Sequence, residues 1–169
     1  KKIISHRKKE IALFYNIFAV VDMPLLFKGN VEQCADYCMR FWAEYHKDHN
    51  KLSALYLYSY TGIRRYFARQ HLSYKKFLFK RFLYSNSYSL KRGCEKILKN
   101  ESLIVGDMFV QNKKGGIGHV SLIVNICKNK SGKKLYLIGF SFMPAQEFHI
   151  EYAEEKYGTA GWFSYAGYI

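Results

Sequence analysis

Apolar positions recur along this chain at two periods, and the change between them divides it. Through much of residues 30–100 they return every three or four residues, and from about residue 103 onward they fall on alternate positions. The first period belongs to an amphipathic helix, the second to a strand with one buried face. Val31, Cys34, Ala35, Cys38, Phe41, Trp42 and Tyr45 form one helical stripe. Asn30, with Gln33 three residues on, has the form of a helix cap. The pattern predicts a helix from there to about Asp48, ended by His49-Asn50-Lys51, and a shorter helix over 89–99 capped by Ser89. Residues 119–126 and 135–142 flank a polar turn, which predicts a long antiparallel hairpin. Its first strand sorts Val120, Leu122, Val124 and Ile126 to one face, and His119, Ser121, Ile123 and Asn125 to the other.

Weaker patterns fill in the rest. Residues 1–9 read as a frayed basic approach, and 11–21 as a strand or short buried helix broken by Asp22-Met23-Pro24. Residues 52–60 read as extended, 103–111 as a strand entry turning at Gly106-Asp107, and 148–152 and 161–168 as aromatic edge strands. The expected fold class is α+β, with N-terminal helices packed on an antiparallel sheet. It forms a single domain over 1–169, with a helical part at about 30–100 and a sheet part at about 103–168.

Composition changes the picture mainly through charge. The chain has 27 Lys and Arg against 13 Asp and Glu, a net charge of +14, together with 15 Tyr, 13 Phe and 2 Trp. Such a field attracts polyanions: nucleic acid, anionic lipid surfaces or anionic cell-wall polymers. Residues 63–84 interleave cations with rings, from Arg64 and Tyr66 to Arg81 and Phe82. That mixture suits single-stranded nucleic acid, yet its helical spacing equally suits a buried stripe with a basic wet face. No apolar run is long enough to span a bilayer. The opening Lys1-Lys2 in place of Met points to a processed or trimmed start, consistent with export to the periplasm, cell surface or medium. Cysteines 34, 38, 94 and 127 form neither a disulfide scaffold nor a zinc pattern, so no metal or other cofactor is expected, and a monomer is expected. His6, His46 and His49 read as solvated surface. The glycine- and lysine-rich loop 113–118 precedes a strand and lacks the ending of a phosphate cradle, so it reads as a flexible rim to a cleft.

Chemistry centres on Cys34. In the first turn of a helix, amides and the helix dipole stabilise a thiolate. The competing reading is a small apolar core residue, which is also how Cys38 reads. A nucleophilic thiol needs a base, and the base needs an orienting group. His119, opening its strand beside Gly118, is the best base, and His149 is the fallback. Ser141 or Gln146 would orient the imidazole, Gln33 would donate an amide to the oxyanion, Gly118 would give substrate room, and Asp36 would cap or brace the helix.

Gln33-Cys34, then Gly106-Asp107-Met108-Phe109-Val110, then Gly118-His119-Val120-Ser121-Leu122-Ile123-Val124 resembles the order of the NlpC/P60 and CHAP peptidase superfamily. The resemblance implies a papain-like core, and cleavage of peptide or amide bonds in bacterial cell-wall peptides. The chain is also similar, over most of residues 22–165, to an uncharacterised bacterial domain family, often secreted or lipid-anchored. That similarity rests on Gln33-Cys34-Ala35-Asp36, Met39-Arg40, Ala43-Glu44-Tyr45, Gly106-Asp107, Gly118-His119 and Ser141-Phe142-Met143-Pro144-Ala145-Gln146. In that family Gln usually precedes the last motif, where Phe140 stands here, which bears on whether the site is active. The expectation is a thiol hydrolase in which Cys34 attacks, His119 carries the proton and Ser141 or Gln146 fixes the ring. The alternatives are a non-catalytic basic module or a secreted effector domain, either recognising a polyanion.

Overall fold

The computed structural model describes residues 2–12, 15–113 and 118–169. Strands β1 (Ile3–Ile4) and β2 (Glu10–Ile11) pair as an N-terminal hairpin, followed by β3 (Ile17–Val20) and the long helix α1 (Cys34–Asp48). A second hairpin, β4 (Tyr56–Tyr58) and β5 (Arg64–Tyr66), leads into α2 (Tyr74–Tyr84) and α3 (Ser87–Gly93). The sheet part then supplies β6 (Met108–Gln111), β7 (His119–Lys128), β8 (Lys134–Phe140), β9 (His149–Glu151), β10 (Gly158–Thr159), β11 (Trp162–Phe163) and the short helix α4 (Tyr165–Tyr168). Among the described residues the main sheet has seven antiparallel strands. β6, β7 and β8 are neighbours, and β8's far edge is shared by β9, which carries β3, and by β11, which carries β10. The fold is thus mixed α+β, with an N-terminal helix packed against a multi-stranded antiparallel sheet.

The two faces of β7 organise two cores. On one side Val120 and Leu122 pack with Ala35, Cys38, Met39 and Ala43 of α1, Phe77, Leu78 and Phe82 of α2, and Leu55 and Leu57 around β4. On the other, Ile123 joins Tyr136, Ile138 and Phe140 of β8, with Phe163 and Ala153. A β-bulge between Ile123 and Asn125 adds a residue to β7 and changes its alternation. Ile126 therefore packs with Ile123, not with Val120 as strict alternation predicts.

Several local expectations are corrected by specific contacts. α1 begins at Cys34, capped by Gln33, whose N–H donates to the Asp36 carboxylate at 3.0 Å. Asn30 is engaged elsewhere: its side-chain oxygen accepts the Ala145 N–H at 2.6 Å. α3 spans Ser87–Gly93, earlier and shorter than the predicted 89–99, because Asn86 caps it by accepting from Tyr88 and Ser89 N–H. Ile3 and Ile4 pair with Ile11 and Glu10, and Ile3 is fully buried. His46 is buried, its Nδ1 donating to the Trp42 carbonyl at 2.8 Å. The C-terminal aromatic segment gives one short strand and then a helical turn, capped where Ser164 accepts the Gly167 N–H. Of the loop 113–118 expected to rim a cleft, residues 114–117 lie outside the described residues.

A buried ion pair holds the start of α1 to the chain before it. Glu32, fully buried, accepts the N–H groups of Leu26 and Phe27 on one oxygen and Arg40 Nη1 at 2.9 Å on the other. The same Nη1 donates to the Pro24 carbonyl at 2.8 Å, and the Tyr37 hydroxyl to Met23 at 2.9 Å. A buried carboxylate so fully matched is stable only while every partner stays. Arg40→Met is therefore expected to lower unfolding free energy by roughly 3–5 kcal/mol in a urea titration. Adding Glu32→Gln to that variant should recover part of the loss, since the stranded charge is then gone.

Candidate functional site

Cys34 is the first residue of α1 and is 6% exposed. It approaches β7 from the helix side, its sulfur 4.0 Å from the Gly118 carbonyl. Burial pushes the thiol pKa up, and the amides of Val120 and Ala35, which pull it down, do not offset this. Cys38, one turn on, is a core thiol. Gln33 spends its side-chain amide on Asn30 at 3.3 Å, and Asp36 is a buried brace for the helix start. Gly118 is small for packing reasons: a Cβ there would meet the Gln111 carbonyl oxygen at 2.5 Å and the Ser87 hydroxyl at 2.6 Å.

His119 follows Gly118 directly, and the pleat sends its side chain to the other face of the sheet. Its ring lies 4.9 Å from that of Phe140 and 5.2 Å from that of Phe142. Ser141 is fully buried and donates to the Gln146 carbonyl at 2.7 Å, so it closes the turn after β8 and does not hold the imidazole. Gln146 is also buried, and its side-chain oxygen has no hydrogen-bond partner. Among the described residues no hydrogen bond joins Cys34 to His119, and of the two predicted orienters Ser141 spends its hydroxyl on the turn.

The imidazole keeps different company. His149 Nδ1 lies 3.0 Å from the Glu147 carbonyl, which can only accept, so that nitrogen carries the proton. Nε2 of the neutral ring is then the acceptor for the Tyr15 hydroxyl at 2.7 Å. Phe140 packs its ring against His119, His149 and Tyr15. Burial, with the charge of His149 adding to it, pushes His119 down to about 4, and its Nδ1 is buried without a hydrogen-bond partner. Burial also lowers His149. It raises Tyr15, helped by Glu151, and with repulsion from Glu154 lifts Glu151 to about 7. Clustered, perturbed titratable groups of this kind mark candidate functional sites.

Sequence reasoning missed Tyr15 and Glu151. Tyr15 sits in a segment legible only as apolar. Glu151 had a usable signal: in an extended segment His149 and Glu151 share a face. Among the described residues no group of three or more His, Cys, Asp or Glu side chains is placed to hold a metal ion, and no helix is long and apolar enough to cross a membrane.

The shifts make opposite demands on stability. His119, at 6.5 when unfolded and about 4 when folded, contributes stability that is lost as pH falls from 6.5 towards 4. Glu151, at 4.5 unfolded and about 7 folded, contributes stability that is lost as pH rises from 4.5 towards 7. Over the shared window the two slopes oppose each other. Thermal melts of Glu151→Gln should therefore expose a rise in stability with pH, and melts of His119→Phe a fall. Identical profiles for both variants would contradict the assigned directions.

No curated protein and no solved structure matches the chain. Residues 64–168 match the family model described as Domain of unknown function (4846). The matched segment runs from β5 to α4, contains His119, Ser141, Gln146 and His149, and starts downstream of Gln33 and Cys34. Covering well over half of the chain, the match shows that this protein belongs to that family, DUF4846.

Proposed function

We propose that the chain is a hydrolase that cleaves an amide bond by general acid–base chemistry, on the sheet face that carries His119, Tyr15 and His149. The observation that carries this reading is the hydrogen-bond chain from the Glu147 carbonyl through His149 to the Tyr15 hydroxyl, beside a neutral His119 with an unengaged Nδ1. With its pKa lowered to about 4, His119 is neutral at ordinary pH and able to accept a proton, as a weak base. His119 takes a proton from water as the water oxygen adds to the substrate carbonyl. The C–N bond then breaks, and the same proton passes to the leaving amine. The Tyr15 hydroxyl, its proton donated to His149, stands beside that base as a polar group to orient the substrate. The resemblance to NlpC/P60 and CHAP enzymes supplies the substrate class, a cell-wall peptide, and the finer reading of helix on sheet as a papain-like core. The net charge of +14 would retain the protein on an anionic wall polymer outside the cytoplasm.

A second reading keeps the thiol as nucleophile. It is favoured by the Val120 and Ala35 amides at the sulfur, and it requires His119 to come within hydrogen-bond reach of Cys34. Turnover of soluble cell-wall peptides separates the two. His119→Ala is expected to lower kcat by about 100- to 10,000-fold, the usual range for losing a general base. Cys34→Ser should stay within a few-fold of the parent, and iodoacetamide should label Cys34 slowly at neutral pH. Abolished turnover in Cys34→Ser, with rapid selective labelling of Cys34, would move the chemistry to the sulfur.

A further inference from the structure

The basic stretch 63–84 does not behave as one surface. Phe77 and Phe82 are buried in the helix-side core. Arg64 and Arg69 lie over the rings of Tyr56 and Tyr66, at 4.6 and 5.0 Å from the ring centroids. Arg65, Lys80 and Arg81 are different. They converge on a cleft of about 710 Å³ between β5 and the C-terminal end of α2, and no Asp or Glu lines it. Arg81 is the telling residue. Its side chain lines the cleft, the residue is only 6% exposed, and its Nε is buried with no hydrogen-bond partner. Burial and the nearby charge of Arg65 both disfavour its charged form. A buried guanidinium normally appears with a matching anion, as Arg40 does with Glu32. Here the protein supplies the cations and leaves the anion out.

Chemistry narrows the occupant. Two guanidinium groups and an ammonium around one space suit a phosphoryl group, whose oxygens accept several N–H donors at once. The cleft is larger than one phosphate and within the range of small-molecule sites. Tyr60 and Tyr84 stand at its rim, 49% and 62% exposed; the Tyr60 ring also meets that of Tyr88 at 5.7 Å, and a planar group can stack on Tyr84 or on the remaining face of Tyr60. We infer that this cleft binds a nucleoside phosphate unit, its phosphate on Arg81, Arg65 and Lys80 and its base against Tyr60 or Tyr84. Such a unit is offered by a free nucleotide or by single-stranded nucleic acid. The site is separate from the imidazole face and does not rest on the proposed hydrolysis.

The test is calorimetric titration of the whole chain with adenosine monophosphate, inorganic phosphate and a single-stranded oligothymidylate. Adenosine monophosphate should bind more tightly than phosphate. Tighter binding still by the oligonucleotide would identify the single strand as the source, and equal affinity the mononucleotide. Arg81→Met should weaken adenosine monophosphate binding by at least tenfold and, in the oligonucleotide arm, reduce the salt slope by about one. Without ligand it should melt no lower than the parent, because the residue removed is an unpaired buried charge. Arg65→Ala, an exposed position, should weaken binding without affecting the fold. Lys128→Ala with Lys130→Ala, on the β7–β8 hairpin, reports the general field. Equal losses in that control and in the arginine variants, or undiminished binding in Arg81→Met and Arg65→Ala, would overturn the assignment.

Discussion

The two-residue pleat of β7 is the constraint on which the rest depends. Consecutive side chains must leave a strand on opposite sides. Val120 therefore enters the core beneath α1, and His119 enters the layer formed by Phe140, His149 and Tyr15. With that alternation set, the imidazole at the start of β7 lies on the face opposite the core beneath α1. Each side then acquires its own character: mixed aliphatic and aromatic beneath the helix, aromatic and titratable on the other.

Charge is handled in two contrasting ways. Around Glu32 the fold brings two backbone amides and a guanidinium to a single carboxylate, fixing the approach to α1. Around Arg81 it gathers like charges and offers no acid. The first arrangement serves architecture. The second is tolerable because part of the group faces an open cleft, where water or an anion can reach it. The large positive excess is therefore not spread evenly: some cations lie over tyrosine rings, others stand beside unoccupied space.

Much of the framework was legible in the residues. Alternation located β7 and β8 to within about two residues, the apolar stripe located α1 through Asp48, and Gly106-Asp107 marked its turn. What escaped was set by partners distant in the chain. Asn30 looked like a cap but pairs with Ala145, leaving the role to Gln33. The bulge after Ile123 follows from the pairing of β7 with β8, which no local pattern encodes. The candidate site was half visible. Cys34 and His119 were picked out one at a time, but whether they meet depends on which face of the sheet the helix covers. Tyr15 could not be seen because its importance comes entirely from His149, far along the chain.

The turn after β8 gathers contacts from both early stretches. Ala145 receives Asn30 and pairs with His6, Gln146 bridges Ser5, and Glu147 exchanges hydrogen bonds with Ile4. On a ribosome these early residues emerge long before their partners exist. The N-terminal ribbon must wait, undocked, until the turn after β8 has been translated. Docking thus runs against the order of synthesis: residues 3–6 are made well before 145–147 and find their place only after them.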